Sequence, residues 1–404
     1  MANRAKLVLA ILALNSTLAG CQAATPATPG ATSSTDTMTN PARPSTPTAS
    51  IAATADPDAT LRMLDILVPP GTGTLAPAFT PERTRYTFAV DSDIGEVGLV
   101  PTATVPDRVS LSVNGAAVGS GQRTMVSVPV GRSNVVIEVA AADGSGATDY
   151  VLDVERRDMR PIVDMFQKLS FSDPATGESM GYRLFVPNGY DASKAYPLVL
   201  FLHGAGERGT DNEVQLTASE GAKIWATPEE QAKHPAFVLA PQSPGSPATL
   251  GWTSIARRGQ AAPFDPQKEL GTGYDILQKV KGEYHIDAKR IYVTGVSQGG
   301  FGTFAIAIAH PSEFAALVPI CGGGDPKKLA TIAKLPIWIF HAAKDPTVGV
   351  GFSRNSVAAL KRAGGDPKYT EYAADTYFTP TAHSSWTSAY ATVEMRDWLF
   401  GQSG

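Results

Sequence analysis

The spacing of apolar residues divides the chain into segments of different character. From about residue 61 to residue 157, short runs alternate between apolar and polar positions, as at residues 86–90 and 109–113. This alternation is typical of strands with one buried face. Roughly seven such runs, separated by turn signals such as Asn114-Gly115 and Asp143-Gly144, predict a small all-β sandwich over residues 59–157.

From about residue 166 onward, strand-like and helix-like patterns alternate. Residues 196–202 form a continuous apolar run, which is typical of a strand buried on both faces. Further strands are predicted at residues 180–186, 236–240, 290–294, 315–321, 335–341 and 369–373, and helices at 268–284, 301–310, 353–363 and 393–400. This order predicts an α/β domain over residues 163–404 with a doubly wound, mainly parallel sheet.

The first 20 residues have the pattern of an export signal. Arg4 and Lys6 precede an apolar run at residues 7–14, which is too short to span a membrane. The sequence Leu18-Ala19-Gly20-Cys21 then resembles a bacterial lipobox, which implies that Cys21 carries acyl chains. A plain signal peptide with an accidental cysteine is the alternative. Because Gln22 and not Asp follows Cys21, the resemblance implies anchorage in the outer membrane, facing the periplasm or the cell surface.

Residues 21–58 consist almost entirely of Ala, Thr, Pro and Ser. Such a segment lacks the bulky apolar residues needed to bury surface, so it is predicted to be a disordered tether. The formal net charge of -4, with no basic patch, argues against a nucleic-acid partner. Besides Cys21 the chain contains only Cys321, within an apolar run, which we expect to be a small buried residue. The oligomeric state is not predicted.

The motif Gly295-Val296-Ser297-Gln298-Gly299 lies between a predicted strand and a predicted helix. This is the context of a nucleophile elbow, in which a sharp turn presents the serine and small neighbours allow strand and helix to approach. Ser297 is therefore the predicted nucleophile. A glycine-rich turn with an incidental serine is the alternative.

A serine needs a general base, and in this type of fold the order along the chain is serine, acid, histidine. All six histidines lie downstream of residue 202, so the sandwich supplies no such base. His310 is expected to close a helix, and His341 precedes the expected acid. His383, in a late loop, is the predicted base. Asp345, just after a strand, is the predicted acid, with Asp325 as its competitor and a simple turn role as the alternative.

The developing oxyanion needs hydrogen-bond donors. The backbone N–H groups of Gln298, next to the nucleophile, and Ala205, in the loop His203-Gly204-Ala205-Gly206, are the candidates. Trp252 and Trp386 are expected to line an open acyl or aryl pocket, unless they are ordinary half-buried tryptophans. The short stretch between residues 320 and 336 leaves no room for a large lid. Substrate specificity is expected to depend on loops such as residues 214–228 and 244–263.

Several motifs together resemble one branch of a known family. They are Leu202-His203-Gly204-Ala205-Gly206-Glu207-Arg208-Gly209, Ala240-Pro241-Gln242, Gly295-Val296-Ser297-Gln298-Gly299-Gly300, Phe340-His341-Ala342-Ala343-Lys344-Asp345-Pro346 and His383-Ser384-Ser385-Trp386. With them, residues 166–402 resemble the phospholipase/carboxylesterase and predicted-peptidase branch of the α/β-hydrolases. Many members carry Gly where Ala342 stands. Residues 59–157 likewise resemble cadherin-like β-sandwich modules, through features such as Tyr86, Asn114-Gly115 and Tyr150.

The resemblance implies a serine carboxylic-ester hydrolase that forms an acyl-enzyme on short-acyl or aryl esters, such as acetyl or feruloyl groups, either free or linked to polysaccharide. It implies the Ser297, Asp345 and His383 triad, with no metal and no organic cofactor. Two alternatives stay open at this point. One is a serine peptidase acting on small peptides, and the other is a lipid-anchored binding protein with a degenerate hydrolase domain.

Overall fold

The structure is a computed structural model that describes residues 59–69, 71–92, 94–172, 174, 177, 179–245, 251–254, 265–266 and 268–404. The predicted signal peptide, the lipidation site Cys21 and the tether lie outside these residues, as does most of the loop at 244–263. Within the described part of the chain, no helix combines the length and the apolar character needed to cross a bilayer.

The N-terminal domain is a β-sandwich, as the alternating pattern predicts. Its strands are β1 (Leu61–Val68), β2 (Gly71–Thr72), β3 (Arg85–Val90), β4 (Glu96–Ala103), β5 (Val109–Val113), β6 (Ala116–Val118), β7 (Thr124–Ser127), β8 (Gly131–Ala141) and β9 (Ala147–Arg156). One sheet has the order β2-β1-β4-β7 and the other the order β3-β9-β8-β5-β6. The inward side chains of both sheets share one apolar core.

Two buried tyrosines fix loops of the sandwich through their hydroxyl groups. The Tyr86 hydroxyl lies 2.6 Å from the carbonyl oxygen of Thr80 and 3.0 Å from its N–H. The Tyr150 hydroxyl donates to the Pro81 carbonyl at 2.7 Å and accepts from the Leu61 N–H at 3.0 Å. Both residues were singled out from the sequence. Their polar tips satisfy backbone groups that burial would otherwise leave unpaired.

The C-terminal domain is built on a mixed, mainly parallel sheet. Its strands are β10 (Gln167–Ser172), β11 (Ser179–Phe185), β12 (Tyr196–Leu202), β13 (Phe237–Pro241), β16 (Ile286–Val296), β17 (Ala316–Ile320), β18 (Trp338–Ala342) and β19 (Lys368–Tyr372), and the two-residue strands β14 (Thr253–Ser254) and β15 (Asp265–Pro266) pair separately. The order is β10-β11-β13-β12-β16-β17-β18-β19. Pairing is antiparallel among β10, β11 and β13 and parallel from β13 onward.

Helices cover the faces of this sheet. They are α1 (Arg160–Asp164), α2 (Val214–Thr217), α3 (Pro228–Lys233), α4 (Lys268–Glu283), α5 (Gln298–Ala309), α6 (Gly351–Arg362), α7 (Trp386–Ala391) and α8 (Val393–Phe400). Successive residues of β12 enter different apolar clusters: Leu200 belongs to one and Phe201 to the other. Burial on both faces explains why this strand is a continuous apolar run rather than an alternating one.

The two domains touch each other directly. Ser92 of the sandwich donates a hydrogen bond to Glu220 of the C-terminal domain. Arg157 pairs with Glu229, at 3.3 Å. Helix α1 carries the chain from β9 to β10 across this boundary, and the two domains fall into one compact unit.

Candidate active site

The turn between β16 and α5 has the geometry of a nucleophile elbow. Ser297 has φ +54° and ψ −115°, a conformation that L-residues rarely adopt. A Cβ on Gly299 would lie 1.8 Å from the Leu202 carbonyl oxygen, and one on Gly300 would lie 2.3 Å from that of Ile320. Only glycine therefore lets α5 approach the ends of β12 and β17, which accounts for the spacing of the motif.

The structure brings the three predicted triad residues together. The Nε2 atom of His383 lies 3.0 Å from the Ser297 hydroxyl oxygen, and its Nδ1 atom lies 2.7 Å from Asp345 Oδ2. A carboxylate can only accept, so Nδ1 carries the proton and Nε2 is left to accept from Ser297. This is the tautomer that a general base requires.

Hydrogen bonds hold the Asp345 carboxylate in place and keep it charged. Its Oδ1 atom accepts the backbone N–H groups of Thr347 and Val348 at 2.8 and 2.9 Å. Burial by itself would raise the pKa of Asp345. Interactions with His341 and His383 and the Val348 N–H outweigh burial and hold that pKa well below its usual range. The carboxylate is therefore ionised in the folded protein near neutral pH.

The predicted oxyanion loop adjoins the elbow. Ala205 opens a short 3-10 turn, Ala205–Glu207, directly after β12. The position of a Cβ on Gly204 lies 3.6 Å from the carbonyl oxygen of Val296, so the loop packs against the residue before Ser297. Gln298 begins α5, whose N-terminus favours developing negative charge. The donor roles of Ala205 and Gln298 stay predictions, supported by this proximity.

Glu207 is a carboxyl group near the site that the sequence reasoning did not assign. Burial raises its pKa, while the backbone N–H groups of Gly204 and Glu207 and the nearby His383 act in the opposite direction. Its Oε2 atom lies over Gly204, in the oxyanion loop. The motif Gly206-Glu207-Arg208 was visible in the sequence, but nothing in it indicated that the carboxyl would lie over Gly204.

The two tryptophans have different environments, and the prediction for Trp252 needs correction. Trp252 is fully buried, and its indole N–H donates to the His203 carbonyl at 3.0 Å. It belongs to the apolar core and not to an open pocket, because its ring packs under α5 against Gly302. Trp386 is half-buried, with its ring perpendicular to that of His383 at 5.2 Å. Its role in the pocket stays a prediction.

The alternative candidates for the acid and the base make other contacts. Asp325 accepts the Lys327 N–H at 3.0 Å in a turn and caps the loop after β17. His310 follows α5 and stacks on Tyr274 at 3.5 Å, and burial lowers its pKa. His341, excluded as a base by its position in the chain, is fully buried, and its Nε2 atom lies 3.3 Å from Asp345 Oδ2. Nothing in the sequence indicated this last contact.

Cys321 is buried, as expected from its apolar run. It lies directly behind the nucleophile, where its sulfur accepts the Ser297 N–H at 3.2 Å. Burial raises the pKa of its thiol well above the usual value, so the sulfur remains protonated and weakly reactive. Cys321, Asp345 and His383 are close enough to share an ion, but His383 and Asp345 are hydrogen-bonded to each other and the sulfur accepts the Ser297 N–H.

A second close group of titratable side chains lies where α3 and α8 meet. Glu230, His234 and Asp397 could in principle share a cation. Arg396 binds Glu230 at 2.8 Å and Lys233 lies 3.7 Å from Asp397, so two cations already balance the two carboxylates. This set therefore acts as an ion-pair network that ties α3 to α8.

The comparisons with known proteins agree with this architecture. Residues 173–374 match a family described as "Putative esterase", and residues 33–157 match one described as "Cadherin-like beta sandwich domain". A solved structure titled as that of a thermostable esterase superposes with a TM-score of 0.58 at 32% identity, covering 79% of this chain and 99% of its own.

Two curated relatives each match about a third of the chain. A probable feruloyl esterase C of Aspergillus terreus is 30% identical over 35% of this chain and 46% of its own length. A poly(3-hydroxyalkanoate) depolymerase C of Paucimonas lemoignei is 33% identical over 36% of this chain and 31% of its own. The chain thus spans less than half the length of these two relatives.

Proposed function

The chain belongs to this esterase family, and from that membership we propose that it is a serine hydrolase of carboxylic esters. The observation that carries the proposal is the continuous chain of hydrogen bonds from Ser297 through His383 to Asp345. An incidental serine in a turn would not need an imidazole at 3.0 Å whose other nitrogen is fixed by a buried carboxylate.

In the first half of the proposed reaction, the Ser297 oxygen attacks the ester carbonyl carbon while His383 Nε2 takes the hydroxyl proton. Asp345 stabilises the imidazolium that results. The carbonyl oxygen becomes an oxyanion, to which the N–H groups of Ala205 and Gln298 donate. When the tetrahedral intermediate collapses, Nε2 returns the proton to the departing alcohol, and the acyl group remains on Ser297.

In the second half, water replaces the alcohol. His383 takes one proton from the water as its oxygen attacks the acyl-enzyme, and a second tetrahedral intermediate forms in the same oxyanion site. Its collapse releases the carboxylic acid, and the proton on Nε2 goes back to the Ser297 oxygen. No redox step and no external proton carrier are needed, because one imidazole serves both halves.

The proposed substrates are short-acyl or aryl esters of the acetyl or feruloyl kind. The similarity to a protein called a feruloyl esterase supports the aryl group. The edge-on ring of Trp386 beside His383 supports an apolar or aromatic acyl contact near the nucleophile. Both esters free in solution and esters attached to polysaccharide fit this proposal.

An active-site probe tests the proposal. A fluorophosphonate should label the wild-type chain and leave Ser297→Ala unlabelled. The wild type should hydrolyse p-nitrophenyl acetate and methyl ferulate and leave peptide anilides intact. Failure of the wild type to react with the probe would favour a degenerate binding protein, and preference for the anilides would favour a peptidase.

We also propose that Cys21 carries a lipid and that the enzyme acts outside the cytoplasm. The lipobox-like sequence before Cys21 supports this proposal. Expression in bacteria fed a labelled fatty acid should place label on the full chain and leave Cys21→Ala unlabelled. Equal labelling of both chains would contradict the anchor.

A further inference from the structure

A second histidine, His341, lies at the catalytic acid. It is fully buried in β18, four residues before Asp345. Its Nε2 atom lies 3.3 Å from Asp345 Oδ2, the same oxygen that binds His383. The catalytic carboxylate thus faces two imidazoles, of which only His383 reaches Ser297.

The contacts of Nε2 fix one proton. Besides Asp345 Oδ2, Nε2 lies 2.9 Å from the carbonyl oxygen of Val348. Both neighbours are acceptors without a proton of their own. An unprotonated nitrogen would direct its lone pair at two electron-rich oxygens, so Nε2 must carry hydrogen.

The contacts of Nδ1 indicate a second proton. Nδ1 lies 2.7 Å from the Ser353 hydroxyl oxygen, which itself lies 2.9 Å from the carbonyl oxygen of Gly322. Ser353 has a single proton to donate. If that proton goes to Gly322, Nδ1 must donate to Ser353, and every contact in the relay pairs a donor with an acceptor. If it goes to Nδ1, the buried hydroxyl oxygen faces the Gly322 carbonyl without a proton between them.

We propose that His341 is a positioning residue that is held doubly protonated and acts as a second cation on the catalytic carboxylate. The inference rests on the proposed function, because it concerns the same triad. Its physical consequence is a division of the Asp345 charge between two imidazoles. A cation already paired with Asp345 makes protonation of His383 less favourable, which keeps His383 in its basic form at lower pH.

Other charged or titratable groups around His341 come from each neighbouring element. Glu371 is its pairing partner on β19 and is bound by Arg354 of α6. Hydrogen bonding from Arg354 lowers the pKa of Glu371 to about 2, so this carboxylate is ionised and already paired. On the β17 side, the thiol of Cys321 stays neutral. Asp345 is therefore the negative charge in direct contact with His341, whereas the charge of Glu371 is paired with Arg354.

The first test is the pH profile of kcat/KM in the full chain with p-nitrophenyl acetate. His341→Gln keeps a neutral donor near Val348 and removes the charge. Its acid limb should move to higher pH by roughly one unit, the size of effect expected from a charge a few ångströms away. At the plateau, kcat should fall less than about tenfold with KM unchanged, because Thr347 and Val348 still hold Asp345. A loss of activity that is equal at every pH would overturn the proposal.

A second variant removes the hydrogen-bond partner of His341 Nδ1. Ser353→Ala removes the acceptor of the Nδ1 proton without touching Asp345, and it should move the acid limb in the same direction. His285→Gln, at an exposed histidine bound to the Ala192 carbonyl, is the control and should leave the limb in place. A limb that Ser353→Ala leaves at its wild-type position would contradict the relay.

The third test does not depend on catalytic activity. It requires only that one of the two variants folds. In the wild-type chain labelled with ¹⁵N-histidine, NMR at neutral pH should show a histidine with both ring nitrogens protonated. Comparison with Ser353→Ala or His341→Gln assigns that signal. A single protonated nitrogen at His341 would refute the double protonation. If the wild type hydrolysed no ester, the proposed function would fail, while this spectrum would still settle the state of His341.

Discussion

The sandwich and the hydrolase domain each contain a non-glycine residue with a positive φ, but in different surroundings. Asn114 in the sandwich has φ +50° and Ser297 has φ +54°. Asn114 lies in an exposed hairpin turn, where its side chain accepts the Val136 N–H at 2.9 Å. Ser297 is nine-tenths buried between a strand and a helix, with an imidazole at its hydroxyl. A positive φ therefore closes a turn in one domain and presents a nucleophile to an imidazole in the other, and the surroundings decide which.

The same contrast holds for buried polar groups. In the sandwich, buried hydroxyls such as that of Tyr150 bind backbone groups and so serve stability. In the hydrolase domain, buried polar side chains such as Asp345 and His341 bind one another next to the nucleophile. The comparison assigns chemistry to one domain and support to the other, and four predictions test this division.

The largest effect is expected at the catalytic acid. Asp345→Asn should lower kcat/KM by about 10⁴-fold, because an amide can donate to Nδ1 and favour the wrong tautomer of His383. Asp153→Asn in the sandwich, where the carboxylate makes an exposed pair with Arg85, should leave activity unchanged. Asp325→Asn is the control within the hydrolase domain. Equal losses of kcat/KM in Asp345→Asn and Asp325→Asn would contradict the assignment of Asp345 as the catalytic acid.

The next effect concerns acid stability and the buried His203. Its Nδ1 atom lies 2.6 Å from the Gly204 carbonyl and its Nε2 accepts the Ser243 N–H at 3.0 Å, so both nitrogens are used by the neutral ring. Burial lowers its pKa from 6.5 to about 4. Above pH 6.5 the ring is neutral in both the folded and the unfolded chain, and its contribution to the free energy of unfolding is fully present. As pH falls from 6.5 to about 4, the unfolded chain binds a proton that the folded chain rejects.

The hydrolase domain should therefore lose about 3 kcal/mol of its free energy of unfolding across that range of pH. All five tryptophans lie at residue 225 or beyond, so their fluorescence during urea unfolding reports this domain alone. The sandwich contains no histidine, and amide hydrogen exchange in β8 and β9 should depend less on pH. Carboxylates with a lowered pKa, such as Glu371 at about 2, act mainly at lower pH. A free energy that stays flat from pH 7 to 4 would contradict the neutral state of His203.

A smaller effect is expected in the sandwich itself. Tyr150→Phe removes the hydroxyl that binds Leu61 and Pro81 and leaves buried backbone groups unpaired. The free energy of unfolding of the sandwich should fall by about 1–3 kcal/mol, measured by hydrogen exchange in β1 and β9. Because the chemistry lies in the other domain, kcat per folded molecule should not change. A large fall in kcat would break the division between the domains.

The smallest effect is expected where the sandwich touches the catalytic loop. Tyr377, six residues before His383, lies under the guanidinium of Arg123 at 5.7 Å, and its hydroxyl contacts the sulfur of Met125 at 3.6 Å. Arg123→Ala should lower kcat by about twofold, since an exposed cation–π contact contributes little. Arg132→Ala, which breaks an exposed pair with Glu155, is the control. A loss above about tenfold for Arg123→Ala would give the sandwich a direct share in catalysis.

Most elements could be predicted from the sequence because their patterns are local. The strand Tyr196–Leu202 and the helix Val393–Phe400 have the predicted ends. Other ends differ: β8 spans Gly131–Ala141, beyond the mostly apolar run at residues 135–139, because its pairing with β9 continues past that run. Strand β10 and helix α7 were not predicted. Both lie in polar or mixed segments, where long-range contacts and not periodicity decide the conformation.

The triad could be found from the sequence because each member has a local mark: glycines around Ser297, a strand end before Asp345 and a late loop around His383. What the sequence by itself determined was the order of domains, the sheet class and these three residues. Only the tertiary structure placed Trp252 in the core, set the Glu207 carboxyl over Gly204 and set His341 against Asp345. The reason is that the carboxyl ends of parallel strands meet at one edge of the sheet. Which side chains then share one oxygen depends on packing between elements far apart in the chain.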